Sequence, residues 1–163
     1  MVSYFLPGHR FLTRLAEASK RGVTIDLINS ARWDIPFMKG ALQYLYPWFQ
    51  RNNINLYEWK PSVLHAKVMI VDREICTIGS YNLNGLSRYN SIEMNINITE
   101  KRFVLKLYDE VERIKADSNK VQKIVAFEAG WIKNFINWLN YMLLRVALGM
   151  MLLLTKVDRS ETP

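Results

Sequence analysis

A predicted β-hairpin near the middle of the chain constrains the fold more than any other feature. Two apolar runs, Leu64–Val71 and Ile75–Ile78, flank Asp72-Arg73-Glu74, which is typical of a tight turn. Successive side chains of a strand point to opposite faces, so His65 and Lys67, two residues apart, share one face. The fold must therefore carry a hairpin with an imidazole and an ammonium side by side.

These two side chains suit reaction at a phosphate diester. An imidazole can attack phosphorus or transfer a proton, and a fixed cation offsets charge on the phosphoryl oxygens. The returning strand ends at Gly79, which brings Ser80 and Asn82 toward the same place, where their hydroxyl and amide groups can donate hydrogen bonds to phosphate oxygens. The other histidine, His9, follows Pro7-Gly8 and is interpreted as structural or incidental. The arrangement calls for no metal ion and no cofactor.

The remaining segments predict an α/β fold. Strands and helices alternate before the hairpin, which is typical of a parallel sheet covered by helices, and a further strand and helix follow it. The predicted elements are strands Val2–Leu6, Val23–Ile28, Ile54–Trp59 and Ile92–Ile98, and helices from Pro7 to Gly22, from Pro36 to about Asn52, and from Lys101 to about Ser118.

The spacing of the polar residues, His-x-Lys-x4-Asp-x6-Gly-Ser-x-Asn, resembles the HKD motif of the phospholipase D superfamily. The flanking runs YFLPGHRFLTRLAEASKRGVTIDLINS, with Asp34 in the next loop, and SYNLNGLSRYNSIEMNINI are similar to the C-terminal half of bacterial cardiolipin synthases. The similarity covers about residues 2–105. It implies a phospholipase D-like αβα sandwich unit that carries a single HKD half.

The resemblance also assigns roles. The implied catalytic set is His65, Lys67, Asn82, Glu93 and Asp72, and the implied phosphate-binding set is Lys67, Ser80 and Asn82. His65 is expected to form a phosphatidyl-histidine or to protonate the leaving alcohol. Glu93 matches an acidic residue that hydrogen-bonds a motif histidine in this family, which would hold the imidazole tautomer. Asp72 is the third letter of the motif, and its place in the hairpin turn favours a structural role.

Only one motif is present, whereas synthases of this type carry two in one chain. The chain is expected to form a symmetric homodimer, as single-motif nucleases of the superfamily do, or to be completed by a partner with a complementary HKD half. Three functions follow: a phosphatidyltransferase or phospholipase D acting on phospholipid, a homodimeric nuclease, and a C-terminal fragment that is inactive without its partner. The flanking sequence and the apolar tail favour the first and make nucleic acid the less favoured substrate.

The expected catalytic half-domain spans residues 1–118, and residues 119–163 form a tail of different character. The run Trp131–Leu154 is apolar and aromatic but is interrupted by Lys133 and Arg145. A membrane span needs about 20 mostly apolar residues. A helix lying at the membrane interface is therefore favoured, with a core or dimer-interface helix as the alternative. The protein is expected at the cell membrane, peripheral or tail-anchored on the cytoplasmic side.

Net charge and cysteine content limit the partners. The formal net charge of +7 favours anionic partners, either phospholipid head groups or nucleic acid. The single cysteine, Cys76, cannot form an internal disulfide, and no paired-cysteine pattern indicates a zinc site.

Overall fold

The computed structural model describes residues 1–85, 87, 91–122 and 130–160, with the backbone alone for residues 152–160. The side chains of 152–154, at the end of the apolar run, therefore lie outside the described residues, as does the end of the tail at 161–163. Within these ranges the helices are α1 His9–Lys20, α2 Met38–Arg51, α3 Lys101–Ala116 and α4 Trp131–Ser160. The strands are β1 Ile25–Ser30, β2 Ile54–Trp59, β3 Val68–Val71, β4 Ile75–Gly79, β5 Asn95–Ile98 and β6 Asn119–Lys120.

The first sheet has the strand order β1-β2-β6 and contains the hydrophobic core. β1 and β2 run parallel with Leu27 opposite Leu56, and β6 pairs antiparallel with β2. The parallel pair follows from the predicted strand–helix–strand alternation, since α2 connects the two strands. Phe49 of α2 and Phe5 are completely buried between these elements. The α/β class is therefore confirmed, and the hydrophobic core forms where α2 and the N-terminal segment pack with this sheet.

The second sheet is the predicted hairpin with one added strand, in the order β3-β4-β5. All its pairs are antiparallel, and Val71 lies opposite Ile75. Asp72 and Arg73 turn the chain with φ of 52° and 58°, and the Glu74 N–H donates to the Val71 carbonyl at 3.0 Å. Two residues with positive φ give a turn whose twist suits a hairpin. The predicted hairpin and its turn are confirmed.

The N-terminal segment departs from the prediction of a strand over Val2–Leu6. Of the residues in the predicted strand, only Val2 forms a β-bridge, and its partner is Lys67. The strand does not continue because Tyr4 has a positive φ of 49°, which turns the chain. Val2 N–H donates to the Ile28 carbonyl at 3.2 Å and Ser3 N–H to the Ala66 carbonyl at 3.0 Å. The segment thus connects the first sheet to the second instead of forming a strand of its own.

Other boundaries also differ. β3 begins at Val68 rather than at Leu64, so His65 precedes the strand, and β5 begins at Asn95 rather than at Ile92. β6, which was not predicted, has two residues, too few to give a periodic signal. Beyond it, Val121 N–H donates to the Leu56 carbonyl at 2.9 Å. The domain boundary expected after residue 118 stays a prediction. The backbone of the residues that follow it forms hydrogen bonds with β2 of the first sheet.

Helix α4 packs against α2 with a polar stripe. Asn137 is buried, and a Cβ on Gly40 of α2 would meet the side chains of Asn140 and Asn137. Tyr44 and Tyr141 stack with ring centroids 4.9 Å apart. The outward face is apolar and exposed: Trp131, Ile132, Phe135, Ile136, Trp138, Leu139, Met142, Leu143, Val146, Met150 and Met151. We call these residues the apolar face of α4.

The length and polarity of the helices bear on the predicted membrane contact. Among the residues that the structure describes, no helix has a stretch long and apolar enough to cross a membrane.

Candidate active site

His65 and Lys67 meet directly at the start of the second sheet. Lys67 Nζ lies 2.8 Å from His65 Nε2, and the imidazole is exposed. The backbone of Lys67 is held from two sides. Its carbonyl accepts a hydrogen bond from the Gly79 N–H at 3.2 Å, and it forms an antiparallel β-bridge with Val2. Partial burial lowers the pKa of Lys67, and the negative charge of Glu93 opposes that effect. The predicted pairing of imidazole and ammonium on one face is therefore present.

Glu93 gathers two serines at the end of the hairpin. Its carboxylate accepts a short hydrogen bond from the Ser80 hydroxyl. Hydrogen bonds from Ser80 and from Ser87, together with the charge of Lys67, lower the pKa of Glu93. The backbone is close here, since a Cβ on Gly79 would stand 2.7 Å from the Asn95 Cα. Only glycine lets β5 approach β4 closely enough to bring Glu93 to Ser80.

Asn82 is oriented from two sides. Its side-chain oxygen accepts from the buried Ser3 hydroxyl at 3.1 Å, and its backbone N–H donates to the Ser87 hydroxyl at 3.2 Å. Because the amide oxygen is engaged by Ser3, the amide nitrogen with its two protons points away from Ser3. Asn82 is therefore arranged as a donor, as phosphate binding requires.

Tyr4 and Asp34 complete the surroundings of His65. The Tyr4 ring lies edge-on to the imidazole with centroids 5.5 Å apart, and its hydroxyl donates to Asp34 Oδ2 at 2.6 Å. That hydrogen bond, with a smaller contribution from the charge of His65, lowers the pKa of Asp34. Asp34 therefore stays ionised close to the imidazole and would stabilise positive charge on it.

The geometry bears on the roles expected of Glu93 and Asp72. Glu93 was expected to hydrogen-bond a motif histidine; within the described part of this single chain it bonds Ser80 and Ser87 and forms no hydrogen bond with His65. The strand order puts β5 beside β4, so Glu93 reaches the end of β4 and not the residues before β3. Asp72 is exposed at the far end of the hairpin, which agrees with its interpretation as a turn residue.

Metal-ligand clusters were sought across the same residues. No group of three or more His, Cys, Asp or Glu side chains in the described ranges is arranged to hold a metal ion.

Comparison with known proteins identifies the family of the chain. Residues 1–115 match the family model described as the cardiolipin synthase, phospholipase D-like domain. The chain belongs to this family. Cardiolipin synthase B of Escherichia coli K12 is 33% identical over 130 residues, which cover 79% of this chain and 32% of the relative. Cardiolipin synthase B of Salmonella typhi is 34% identical over 112 residues, 69% of this chain and 27% of the relative. The phospholipase D-like chain thus spans about a third of the length of the curated relatives it matches.

Solved structures share the phospholipase D-like fold. Nuc from Salmonella typhimurium, described as a phospholipase D family member, superposes with a TM-score of 0.65 at 18% identity, covering 76% of this chain and 80% of that one. NucT from Helicobacter pylori superposes with a TM-score of 0.57 at 16% identity, covering 74% and 80%. At these identities the likeness concerns the fold alone.

Sequence reasoning missed three residues that order the phospholipase D-like site. Ser3, Tyr4 and Ser87 contact Asn82, His65 and Glu93 respectively. All three lie within residues 2–105, the range over which the sequence resembles the family, and that resemblance is the signal that could have singled them out. Their contacts depend on a positive φ at Tyr4 and on long-range packing, and neither leaves a periodic pattern.

Proposed function

We propose that this chain supplies one half of a phospholipase D-type site that cleaves a phospholipid phosphodiester and transfers the phosphatidyl group to an alcohol or to water. The observation that carries the proposal is the 2.8 Å contact between Lys67 Nζ and His65 Nε2. The contact puts an imidazole beside a cation, and Ser80 and Asn82 follow the end of β4, the strand paired with β3. Membership of a cardiolipin synthase family supports a phospholipid as the substrate.

The tautomer of His65 favours a nucleophilic role. An ammonium group only donates, so Nε2 accepts from Lys67 and, in the neutral ring, the proton sits on Nδ1. The Nε2 lone pair becomes available for phosphorus when the Lys67 ammonium group transfers its hydrogen bond from Nε2 to an oxygen of the bound phosphodiester. Attack forms a P–N bond and breaks the P–O bond to the leaving alcohol, whose oxygen takes a proton from a second histidine. A second alcohol or water then gives its proton to that histidine, attacks phosphorus and breaks the P–N bond.

The proposed mechanism needs a second histidine besides His65, and His9 does not supply it. The sequence has two histidines, and His9 is exposed at the first residue of α1 rather than at the site. We propose that a second copy of the chain, or a partner with the complementary half, faces the second sheet. The exposed side chains of Ile92, Met94 and Ile96, at 103%, 73% and 56%, lie on or beside β5 at the edge of this sheet. Apolar side chains this exposed favour a covering partner.

The apolar face of α4 supports peripheral membrane contact. α4 turns Asn137 and Asn140 toward α2 and leaves large apolar side chains outward, the reverse of a helix that faces water. Lys133 and Arg145 are exposed on the same helix, and the chain carries a net charge of +7. Such a helix can lie along the interface of the anionic cytoplasmic leaflet.

The test is turnover of phosphatidylglycerol liposomes by the purified chain, alone and mixed with a candidate N-terminal half. We expect release of glycerol or formation of a diphosphatidyl product, and a fall of at least about a thousandfold in His65→Ala, because both steps pass through the imidazole. Acid-labile phosphorus on His65, detected by mass spectrometry, would identify the nucleophile. Turnover that persists in His65→Ala would refute the assignment of the site.

A homodimeric single-motif nuclease is the second candidate. The observation that favours it is the formal net charge of +7, which suits nucleic acid. A parallel assay with plasmid DNA in place of liposomes distinguishes the nuclease from the phospholipase D-type enzyme. Nicking of DNA that His65→Ala abolishes, without lipid turnover, would decide for the nuclease.

A further inference from the structure

A cavity of about 340 Å³ lies between the loop that follows the motif, the turn before α1, and helix α4. Its wall combines apolar side chains, among them Leu6, Phe11, Leu83 and Leu148, with the polar Asn84 and the cation of Arg145. Ligand sites in proteins are commonly cavities of about 300–1,000 Å³ with apolar walls and a few polar groups. The size lies at the low end of that range and suits a single hydrocarbon chain better than a whole two-chain lipid.

The cavity adjoins the site through two short connections. Tyr81, in its wall, lies in sequence between Ser80 and Asn82. Asn84, also in its wall, donates to the Tyr4 carbonyl at 3.3 Å, and the Tyr4 ring contacts His65. Residues of the cavity wall are therefore connected to the phosphate-binding residues by the chain itself and by the contacts of Tyr4.

Helix α4 contributes to the cavity as well as to the apolar face. Arg145, Leu148 and Gly149 line it, while Val146 and Met150 on the same turns face outward. One helix therefore contributes both to the cavity wall and to the surface that would contact lipid. The nearby cation complements a phosphodiester at the mouth of an apolar cavity.

We propose that this cavity receives an acyl chain of the phospholipid whose phosphate is bound at His65 and Lys67. The inference rests on the proposed function and extends it, because it assigns the wall between α1, the motif loop and α4 to recognition of the hydrocarbon part of the substrate. Chain length then becomes a determinant of affinity. The motif residues themselves select only the phosphate.

Gly149 offers a direct probe. It lines the cavity, and a Cβ added there meets no atom within 4 Å. Gly149→Leu should therefore fill the space without a clash. Leucine also has a far better helix propensity than glycine, so the variant is expected to fold at least as well. Ala147→Leu is the matched control, since Ala147 is exposed on the same helix and does not line the cavity.

The experiment measures the dissociation constants of inorganic phosphate and of hexyl, octyl and decyl phosphate, each below its micelle concentration. In the wild-type chain affinity should rise by up to about fourfold for each methylene that is buried. Gly149→Leu should lose most of this dependence on chain length and keep the affinity for inorganic phosphate. Melting temperatures would establish that both leucine variants are folded. An unchanged dependence in Gly149→Leu, or an equal loss in Ala147→Leu, would overturn the proposal.

A third variant separates this inference from the proposed function. Lys67→Ala should weaken the binding of inorganic phosphate and of every alkyl phosphate by the same factor, so that the dependence of affinity on chain length stays intact. If Lys67→Ala has no effect while Gly149→Leu still removes the chain-length dependence, the cavity binds hydrocarbon but the phosphate site is wrong. If Lys67→Ala weakens phosphate binding but Gly149→Leu leaves the chain-length dependence unchanged, the result supports the phosphate site and contradicts the acyl-chain assignment.

Discussion

The two sheets have three strands each but differ in what surrounds them. In the first sheet the last four residues of β1 are buried, and the completely buried Phe49 of α2 packs in the core beside it. In the second sheet β5 is mostly exposed, and Met94 and Ile96 are 73% and 56% accessible. The first sheet has the burial that stabilises the fold, whereas the second has the candidate active site. Substitutions in the two sheets should therefore affect different properties.

The connection between the sheets explains how an exposed sheet can still hold a defined site. Val2 and Ser3 bond the end of β1 on one side and the residues before β3 on the other. The same segment places Ser3 on Asn82 and Tyr4 on His65. The site is thus positioned from the well-packed sheet by a short irregular segment and does not depend on burial of its own strands.

The largest expected effect is on the core of the first sheet. Phe49→Ala removes a completely buried ring, and changes of this kind lower the free energy of unfolding by about 3–5 kcal/mol. His65→Gln, at an exposed position in the second region, should alter it by less than about 0.5 kcal/mol. Urea unfolding followed by circular dichroism measures both. Similar losses in the two variants would contradict the division between a stabilising sheet and a functional one.

The second largest expected effect is a loss of stability in the second sheet. Gly79→Ala places a Cβ against the backbone of Met94 and Asn95, which cannot yield without moving β5. We expect a loss of about 1–3 kcal/mol and disruption of the Ser80–Glu93 hydrogen bond. Gly149→Ala is the control, because its Cβ meets open space and alanine stabilises a helix by up to about 1 kcal/mol relative to glycine. A neutral Gly79→Ala would mean that β5 is not held as closely as the structure has it.

The sequence predicted local features of the fold better than it predicted contacts between distant residues. The hairpin and its turn are local features with a period of two residues, and they were predicted correctly. The proximity of His65 to Lys67 was also predicted, although both residues precede β3. The contacts of Ser3 and Tyr4 were not, because Tyr4 has a positive φ that a bulky residue seldom adopts. β6 is too short to give a pattern.

The tail was predicted only in part. Its apolar composition predicted a helix, which is present, but the packing of that helix could not be derived from the sequence. α4 contacts α2 through asparagines and reverses the usual polarity of a surface helix. A periodic pattern reports which residues share a face and not which face packs inward.

A smaller effect concerns the attachment of α3 to the first sheet. Lys115 Nζ lies 2.9 Å from Asp26 Oδ2 of β1 and 2.6 Å from Glu112 Oε1, and these carboxylates raise the pKa of Lys115. Lys115→Met should lower the free energy of unfolding by about 1 kcal/mol, since the pairs are only partly exposed. The loss should shrink in high salt, which screens the wild-type pairs. Arg14→Met, which breaks an exposed pair with Glu17 on α1, should have a smaller effect. A larger loss in Arg14→Met would contradict this ranking.

The smallest expected effect lies in the second sheet and depends on pH. Hydrogen bonds from Ser80 and Ser87 and the charge of Lys67 lower the pKa of Glu93, so the folded state favours its ionised form. That contribution is present above the unfolded pKa of about 4.3 and disappears as pH falls through the lower folded value. Glu93→Gln should therefore be less stable than the wild type at pH 7 and approach it at the acid end. Thermal melts of both proteins from pH 7 to pH 3 measure the difference, with Glu74→Gln at the exposed hairpin turn as the matched control. A difference that grows toward acid pH would mean that Glu93 is held in its protonated form, and the charge assigned to this end of the second sheet would be wrong.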